Sequence, residues 1–271
     1  MPMAKPITFL SDFGSADEFV GVVHAVIARE YPEARVIDLS HGVPRQAVLA
    51  GALMLARSLP FTPPGVHLAV VDPGVGGERR ALALRTARED RVLVGPDNGL
   101  LIPAAERFGG VSEAAEISSS PWRLDVVSAT FHGRDVFAPV AAHLAAGEEL
   151  SQAGTPLDPA GLVRLELPRP LVEEDGSLVA HVIDVDWFGN VGLDATIADL
   201  TVEPGQLVTL DLRERSVTAQ YARTFAEVPR GDLLLYVDST GTLSLAVNGG
   251  EAASELGDLR LGDEVRITPA A

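Results

Sequence analysis

The chain has 271 residues, 46% of them hydrophobic, and a formal net charge of -17 at pH 7. That length accommodates one large domain or two ordinary ones with a substantial core. The negative charge disfavours nucleic acid and anionic membranes as partners, because their phosphates would repel such a surface. The absence of cysteine excludes disulfides, zinc–thiolate sites and cysteine nucleophiles.

No apolar signal region precedes the first strand-like run, and no run is long and apolar enough to span a bilayer, so a cytoplasmic protein is expected. A strand is predicted over residues 7–10, followed by Ser11-Asp12-Phe13-Gly14. Asp17 or Ser15 is placed to cap a helix over 18–30, whose apolar face carries Phe19, Val22, Val23, Val26 and Ile27. A strand over 35–39 and the loop 40–44 lead to a helix over 46–58. The β-branched run 66–71 reads as a buried strand ending at Asp72. Pro73-Gly74 then suits the centre of a type II turn, since proline presets φ and glycine accepts positive φ. Further strands are predicted over 81–85 and 92–94, the latter closed by Gly95-Pro96-Asp97-Asn98-Gly99, then a short helix over 103–108 and a strand over 113–117. The loop Thr130-Phe131-His132-Gly133-Arg134-Asp135 opens a helix over 136–146. This alternation predicts an α/β N-terminal domain with a mixed sheet flanked by helices, over residues 1–160.

Beyond a linker at 161–170, helical periodicity nearly vanishes. Strand-like runs at 178–185, 190–193, 207–212, 233–237, 243–247 and 264–267 predict a smaller antiparallel β domain over 171–271. Only 251–256 reads as helical there.

Asp12, Asp72, Asn98, His132, Asp186 and Asn190 sit on glycine-rich loops rather than on element faces, and most of those in the first domain follow strands. Loops after strands are where an α/β scaffold presents functional groups. Each has a plainer rival: Asp72 and Arg79 as an ion pair closing a turn, Asp12 and Asn98 as turn residues, Arg134 and Asp135 as helix caps. His132 stands out, because Gly133 beside it leaves an open approach to the imidazole. Of the other histidines, His24 and His143 fall in helices and His67 and His181 in strand-like runs, while His41 falls in a loop where it could line a pocket. No His-Glu-x-x-His, aspartate-rich calcium loop, dinucleotide fingerprint, Walker loop or nucleophile elbow is present, so no metal site and no cofactor are expected.

Taken together and in order, five motifs resemble the S-adenosyl-L-methionine hydroxide adenosyltransferases, relatives of fluorinase and chlorinase. They are Ser11-Asp12-Phe13-Gly14 with Asp17, Val70 to Gly76 with Arg79-Arg80, Gly95 to Gly99, Thr130 to Asp135, and Phe188-Gly189-Asn190. The resemblance implies an α/β domain followed by a β-barrel-like domain, assembled as a homotrimer with ligand sites between neighbouring subunits. It also implies cleavage of S-adenosyl-L-methionine by water to adenosine and L-methionine, with Asp72, Arg79 and His132 as the catalytic set. Halogenating relatives carry tyrosine where Asp72 stands, and Gly133 occupies the position of fluorinase's halide-binding serine. By the same resemblance Asp12 would hold the ribose hydroxyls, Asp17 and Asp186 would face the methionine ammonium, and Phe188 would pack on adenine. Asn190 would bond the adenine edge and Ser239 the methionine carboxylate, although Thr240 stands where fluorinase has an arginine for that carboxylate. Rival functions are a chloride-using enzyme of the same family and a non-catalytic adenosine- or S-adenosylmethionine-binding protein.

Overall fold

The computed structural model describes residues 5–213 and 215–270. The chain divides into two compact units, residues 1–166 and 167–271.

The first unit is built on a mixed seven-stranded sheet. Its strands are β1 (Ile7–Ser11), β2 (Val36–Ser40), β3 (Val66–Val70), β4 (Ala81–Thr86), β5 (Val92–Pro96), β6 (Val111–Glu116) and β7 (Thr155–Leu157). They lie in the order β2-β1-β3-β5-β4-β6-β7, the first four parallel and the rest antiparallel to their neighbours. Helices α1 (Phe19–Glu30), α2 (Val48–Ser58), α3 (Ile102–Arg107), α4 (Ala138–Ala146) and the short α5 (Leu150–Ala153) accompany them.

Strand side chains alternate between two faces, and here both faces are buried, which is why the parallel strands read as continuous apolar runs. Ile7, Phe9, Val66, Leu68, Val70, Val92 and Val94 pack into one core with Val23, Val26 and Ile27 of α1 and with α4. Leu10, Ala69, Val71, Leu82, Leu84 and Leu93 pack into a second core with Leu55 of α2 and Ala104 of α3. Full burial of each large apolar side chain stabilises the fold by roughly 1.5–3 kcal/mol. The helix start of α1 differs from expectation: the cap position is Glu18, with no side-chain cap hydrogen bond, and Ser15 and Asp17 are exposed in the loop before it.

From β1 the chain moves to β2 on one side and returns to β3 on the other. The carboxyl ends of β1 and β3 therefore flank a topological switch point, where an open α/β sheet leaves a crevice. Asp12 and Asp72 lie just beyond those two ends.

In the second unit β8 (Leu171–Val172), β9 (Leu178–Val185), β10 (Val191–Leu193), β11 (Leu207–Leu212), β12 (Arg215–Tyr221), β13 (Leu233–Val237), β14 (Leu243–Val247) and β15 (Glu264–Pro269) pair in the order β10-β14-β13-β12-β11-β15-β9-β8. A further pairing of β10 with β9 closes seven of them into a barrel, leaving β8 outside the ring. Closure removes the exposed sheet edges that would otherwise template aggregation. The interior is apolar, with Leu178, Val182, Val191, Leu210, Leu235, Leu245 and Ile267 among its fully or nearly fully buried side chains. A single turn of helix, α6 (Ala252–Glu255), packs beside β14. No helix among the described residues is long and apolar enough to cross a membrane.

Candidate active site

Asp72 opens two consecutive turns. The N–H of Val75 donates to the Asp72 carbonyl at 3.2 Å, and that of Gly77 to the Gly74 carbonyl at 3.0 Å. The positive φ falls on Gly76, at +74°, and not on Gly74, so the expected type II turn at Pro73-Gly74 is displaced by two residues. The cause is contact: a Cβ on Gly76 would stand 2.0 Å from the carbonyl oxygen of Ala129. Backbone therefore meets backbone here, and the loop after β3 is seated on the loop that carries His132.

That seating brings three side chains together. Arg79 Nε donates to Asp72 Oδ1 and Oδ2 at 2.9 and 3.0 Å, and its Nη2 also donates to Oδ2. Nη2 donates in addition to His132 Nδ1 at 2.9 Å. The side chains of Arg79 and Asp72 are only 10% and 5% exposed, and the guanidinium lies 5.3 Å from the ring centroid of buried Phe137. Charge-assisted, forked pairing of this kind is both strong and directional.

His132 caps a π-helical turn over Gly133–Phe137, which precedes α4 directly; such turns concentrate at functional sites. Asp135, fully buried, organises this loop: it accepts from the Ser128 N–H at 2.8 Å and from Arg134 Nε at 2.6 Å. Arg134 in turn lies over Phe131, 5.1 Å from its centroid. Phe131 meets Phe13 and Phe19 edge-on at 5.8 and 5.2 Å, and a Cβ on Gly133 would press on the Phe13 ring at 3.0 Å. The loop after β1 is thereby fastened to the histidine loop.

An arginine nitrogen only donates, so His132 Nδ1 accepts and the proton of the neutral ring sits on Nε2. Partial burial, followed by the Arg79 charge, lowers the His132 pKa below 6.5, while Asp72 and Asp135 pull the other way. The imidazole is therefore neutral at pH 7.

Asp12 accepts from the backbone N–H of Gln46 at 2.9 Å, which places its carboxylate beside the loop entering α2. Asp17 is exposed. Asn98 is a turn residue: its Nδ2 donates to the Val71 carbonyl at 2.8 Å and its Oδ1 accepts from the Leu100 N–H at 3.2 Å.

In the barrel unit, Asp186, Phe188 and Asn190 form the β9–β10 hairpin turn. Asp186 Oδ1 accepts from the N–H groups of Phe188 and Asn190 at 2.8 and 2.9 Å, and Oδ2 from Asn190 Nδ2 at 2.8 Å. Trp187 and Phe188 are 94% and 71% exposed at its tip. Ser239 is exposed in the turn after β13, where Asp238 collects the Thr240 and Thr242 hydroxyls at 2.7 and 3.0 Å. Tyr236 lies near both turns; burial, then Asp186 and Asp238, push its hydroxyl up to about 12.

Two family models match, the SAM hydroxide adenosyltransferase N-terminal domain over residues 7–154 and the corresponding C-terminal domain over 180–266. The chain belongs to the SAM hydroxide adenosyltransferase family. It is 50% identical over 262 residues to a protein of Salinispora tropica named (R)-S-adenosyl-L-methionine hydrolase, covering 97% of each chain. To a Thermus thermophilus protein of the same name it is 40% identical, covering 97% of this chain and 99% of that one. Fluorinases are more distant, at 28% identity for that of an Actinoplanes species, with 97% of each chain covered. A crystal structure of an uncharacterized conserved protein from Thermotoga maritima superposes with a TM-score of 0.89 at 38% identity, over 97% of this chain and 99% of that one.

For this member of the SAM hydroxide adenosyltransferases, the sequence points to Asp72, Arg79 and His132 but not to what holds them. The Gly76–Ala129 contact, the aromatic contacts of Phe13, Phe19 and Phe131 and the ring of Phe137 carry no expectation from the sequence, and Asp135, which reads there as a helix cap, is instead the buried acceptor for Ser128 and Arg134. Their signal was proximity to the motifs: each lies within a few residues of a site side chain.

Proposed function

We propose that the chain hydrolyses S-adenosyl-L-methionine to adenosine and L-methionine by in-line attack of water on the ribose C5′. The observation that carries this reading is the single guanidinium nitrogen of Arg79 shared between Asp72 and His132 at the switch point of the sheet. The hydrolase names of the relatives at 50% and 40% identity support it.

In the reaction a bond forms from water oxygen to C5′ while the C5′–S bond breaks. Its electron pair returns to sulfur, which leaves as the neutral thioether of methionine and needs no acid. One proton must leave the attacking oxygen. With Nδ1 engaged by Arg79, His132 presents Nε2–H and donates to the water, fixing its orientation. Asp72 is then the acceptor of the proton. Holding water and carbon in a near-attack arrangement is worth roughly 7–11 kcal/mol in well-oriented systems, and positioned proton transfer a further ~10²–10⁴-fold. The reaction drawn this way calls on no cofactor.

Substrate contacts in this reading are Asp12 to the ribose hydroxyls and Asp17 and Asp186 to the methionine ammonium. Phe188 and Asn190 serve the adenine, and Ser239 the methionine carboxylate. Asp186 retains about one unused lone pair beyond its three turn contacts, since an ionised carboxylate accepts at about four positions. Trp187 and Phe188, bare at their hairpin tip, fit a homotrimer in which the barrel unit of one copy serves a neighbour; light scattering should give three times the 28.5 kDa chain mass.

The test is incubation with S-adenosyl-L-methionine in chloride-rich buffer, with products resolved by mass spectrometry. Equimolar adenosine and methionine are expected. 5′-Chloro-5′-deoxyadenosine as the main product, or intact substrate after prolonged incubation, would overturn the reading.

A further inference from the structure

Outside the Asp72–Arg79–His132 set, the first unit gathers a second cluster of ligating side chains. His24 projects from α1, Asp38 from β2, and His41 from the loop after β2. His24 Nε2 lies 2.9 Å and His41 Nε2 3.1 Å from the same oxygen, Asp38 Oδ1, and no two of the three ligand atoms are more than 4.8 Å apart. Donor atoms bound to one metal ion through bonds of about 2.0–2.1 Å, meeting at about 90–110°, stand roughly 2.9–3.4 Å from each other. The two nitrogen–oxygen separations fall in that range.

A second observation is independent of this spacing. Among the described residues, His41 Nε2 is the buried side-chain polar atom without a hydrogen-bond partner. Its approach to Asp38 has the distance but not the direction of a hydrogen bond, so the ring nitrogen faces the cluster unsatisfied. An unsatisfied buried polar atom is destabilising, and a bound cation would relieve it. The other ring nitrogen, Nδ1, meets Ser11 Oγ at 2.8 Å, the outer-shell contact that fixes ring orientation and tautomer in metal-ligating histidines. The ring is held further by Phe9, edge-on at 4.6 Å. The side chains of His24 and Asp38, 34% and 44% exposed, leave a path for the ion and room for water to complete its shell.

We propose that His24, Asp38 and His41 bind one divalent transition-metal ion, of the class that accepts two imidazoles and one carboxylate, zinc or cobalt being suited. The ion joins α1 and β2 to the stretch bearing Asp12, because Ser11 holds the His41 ring and the N–H of Gly14 donates to the His41 carbonyl at 2.8 Å. Its role is that of a clamp on this loop, separate from the chemistry at C5′.

Chelator-treated protein is titrated with Co²⁺ and followed by its visible absorption, and with Zn²⁺ by calorimetry. One equivalent per chain is expected, with affinity falling at least tenfold in each of His24→Ala and Asp38→Asn, both at partly exposed positions. Crystals of the unaltered chain soaked in Zn²⁺ supply a readout that depends on no variant: an anomalous peak should lie among the three side chains. Absence of binding at millimolar metal, binding unchanged in both variants, or a peak elsewhere would overturn the proposal.

Discussion

Nη2 of Arg79 reaches Nδ1 of His132, 53 positions away in the chain, at 2.9 Å. Because the same nitrogen also serves Asp72, one guanidinium sets the geometry of the carboxylate and the tautomer of the imidazole together. In the proposed reaction this arrangement divides the labour, with His132 donating to the water and Asp72 accepting its proton.

That division is tested by conservative variants. Asp72→Asn keeps the shape but removes the acceptor, and should lower the rate of adenosine release by ~10²–10⁴-fold. His132→Gln retains an N–H donor near the Nε2 position and should stay more active than His132→Ala. Equal loss in the two histidine variants would count against the donor role.

The pH profile should carry the Arg79–His132 contact. His132 must be neutral to accept from Arg79, and its pKa lies below 6.5 through burial and then the arginine charge. Activity should persist as pH falls through 6.5 and decline only when the ring protonates. Arg79→Gln removes the second of those lowering effects, so its residual activity should fall off at higher pH than in the parent. A profile whose acid limb does not move would contradict this.

Gly76 is the backbone hinge of the site. Alanine there must adopt φ near +74° and meet the Ala129 carbonyl at 2.0 Å. Strain of this kind costs on the order of 1–3 kcal/mol, and relief by separating the loops would pull Arg79 from His132. Gly76→Ala should therefore lower both the melting temperature and the turnover rate, whereas Gly110→Ala, at φ +88° with open space around it, should lower the former alone.

A separate histidine governs acid stability. His67 is fully buried on β3, accepting from Arg91 Nη1 at Nε2 across 3.2 Å and meeting Thr8 Oγ1 at 2.8 Å. Burial, then Arg91, lowers its pKa from 6.5 to about 3. The unfolded chain takes up this proton more readily than the folded one, so the contribution is complete above pH 6.5 and is lost as pH falls toward 3. By linkage its full size is on the order of 5 kcal/mol. Denaturant melts should show His67→Gln less stable at pH 7 but with a shallower decline between pH 6 and 4.

The strands of the first unit were legible because apolar runs such as Val66–Val70 are buried on both faces, and the helices because their periodicity is amphipathic. β12 is not legible in the sequence although Val217, Ala219 and Tyr221 alternate inward, since Arg215, Ser216, Thr218 and Gln220 dilute the run. α5 is a single turn announced only by its Glu149–Gln152 capping box. At the site, residue types and motif order pointed to Asp72, Arg79 and His132, but the type II turn was assigned to Gly74 because the Gly76–Ala129 contact is long-range and leaves no local trace. The same reason hid His24, Asp38 and His41: a helix, a strand and a loop meet there, and no ligand spacing along the chain records it.

The most direct measurement of the central claim is turnover of S-adenosyl-L-methionine in ¹⁸O-labelled water. Attack on C5′ predicts the label in the 5′-oxygen of adenosine and none in methionine. Unlabelled adenosine, or label found in any other product, would contradict it.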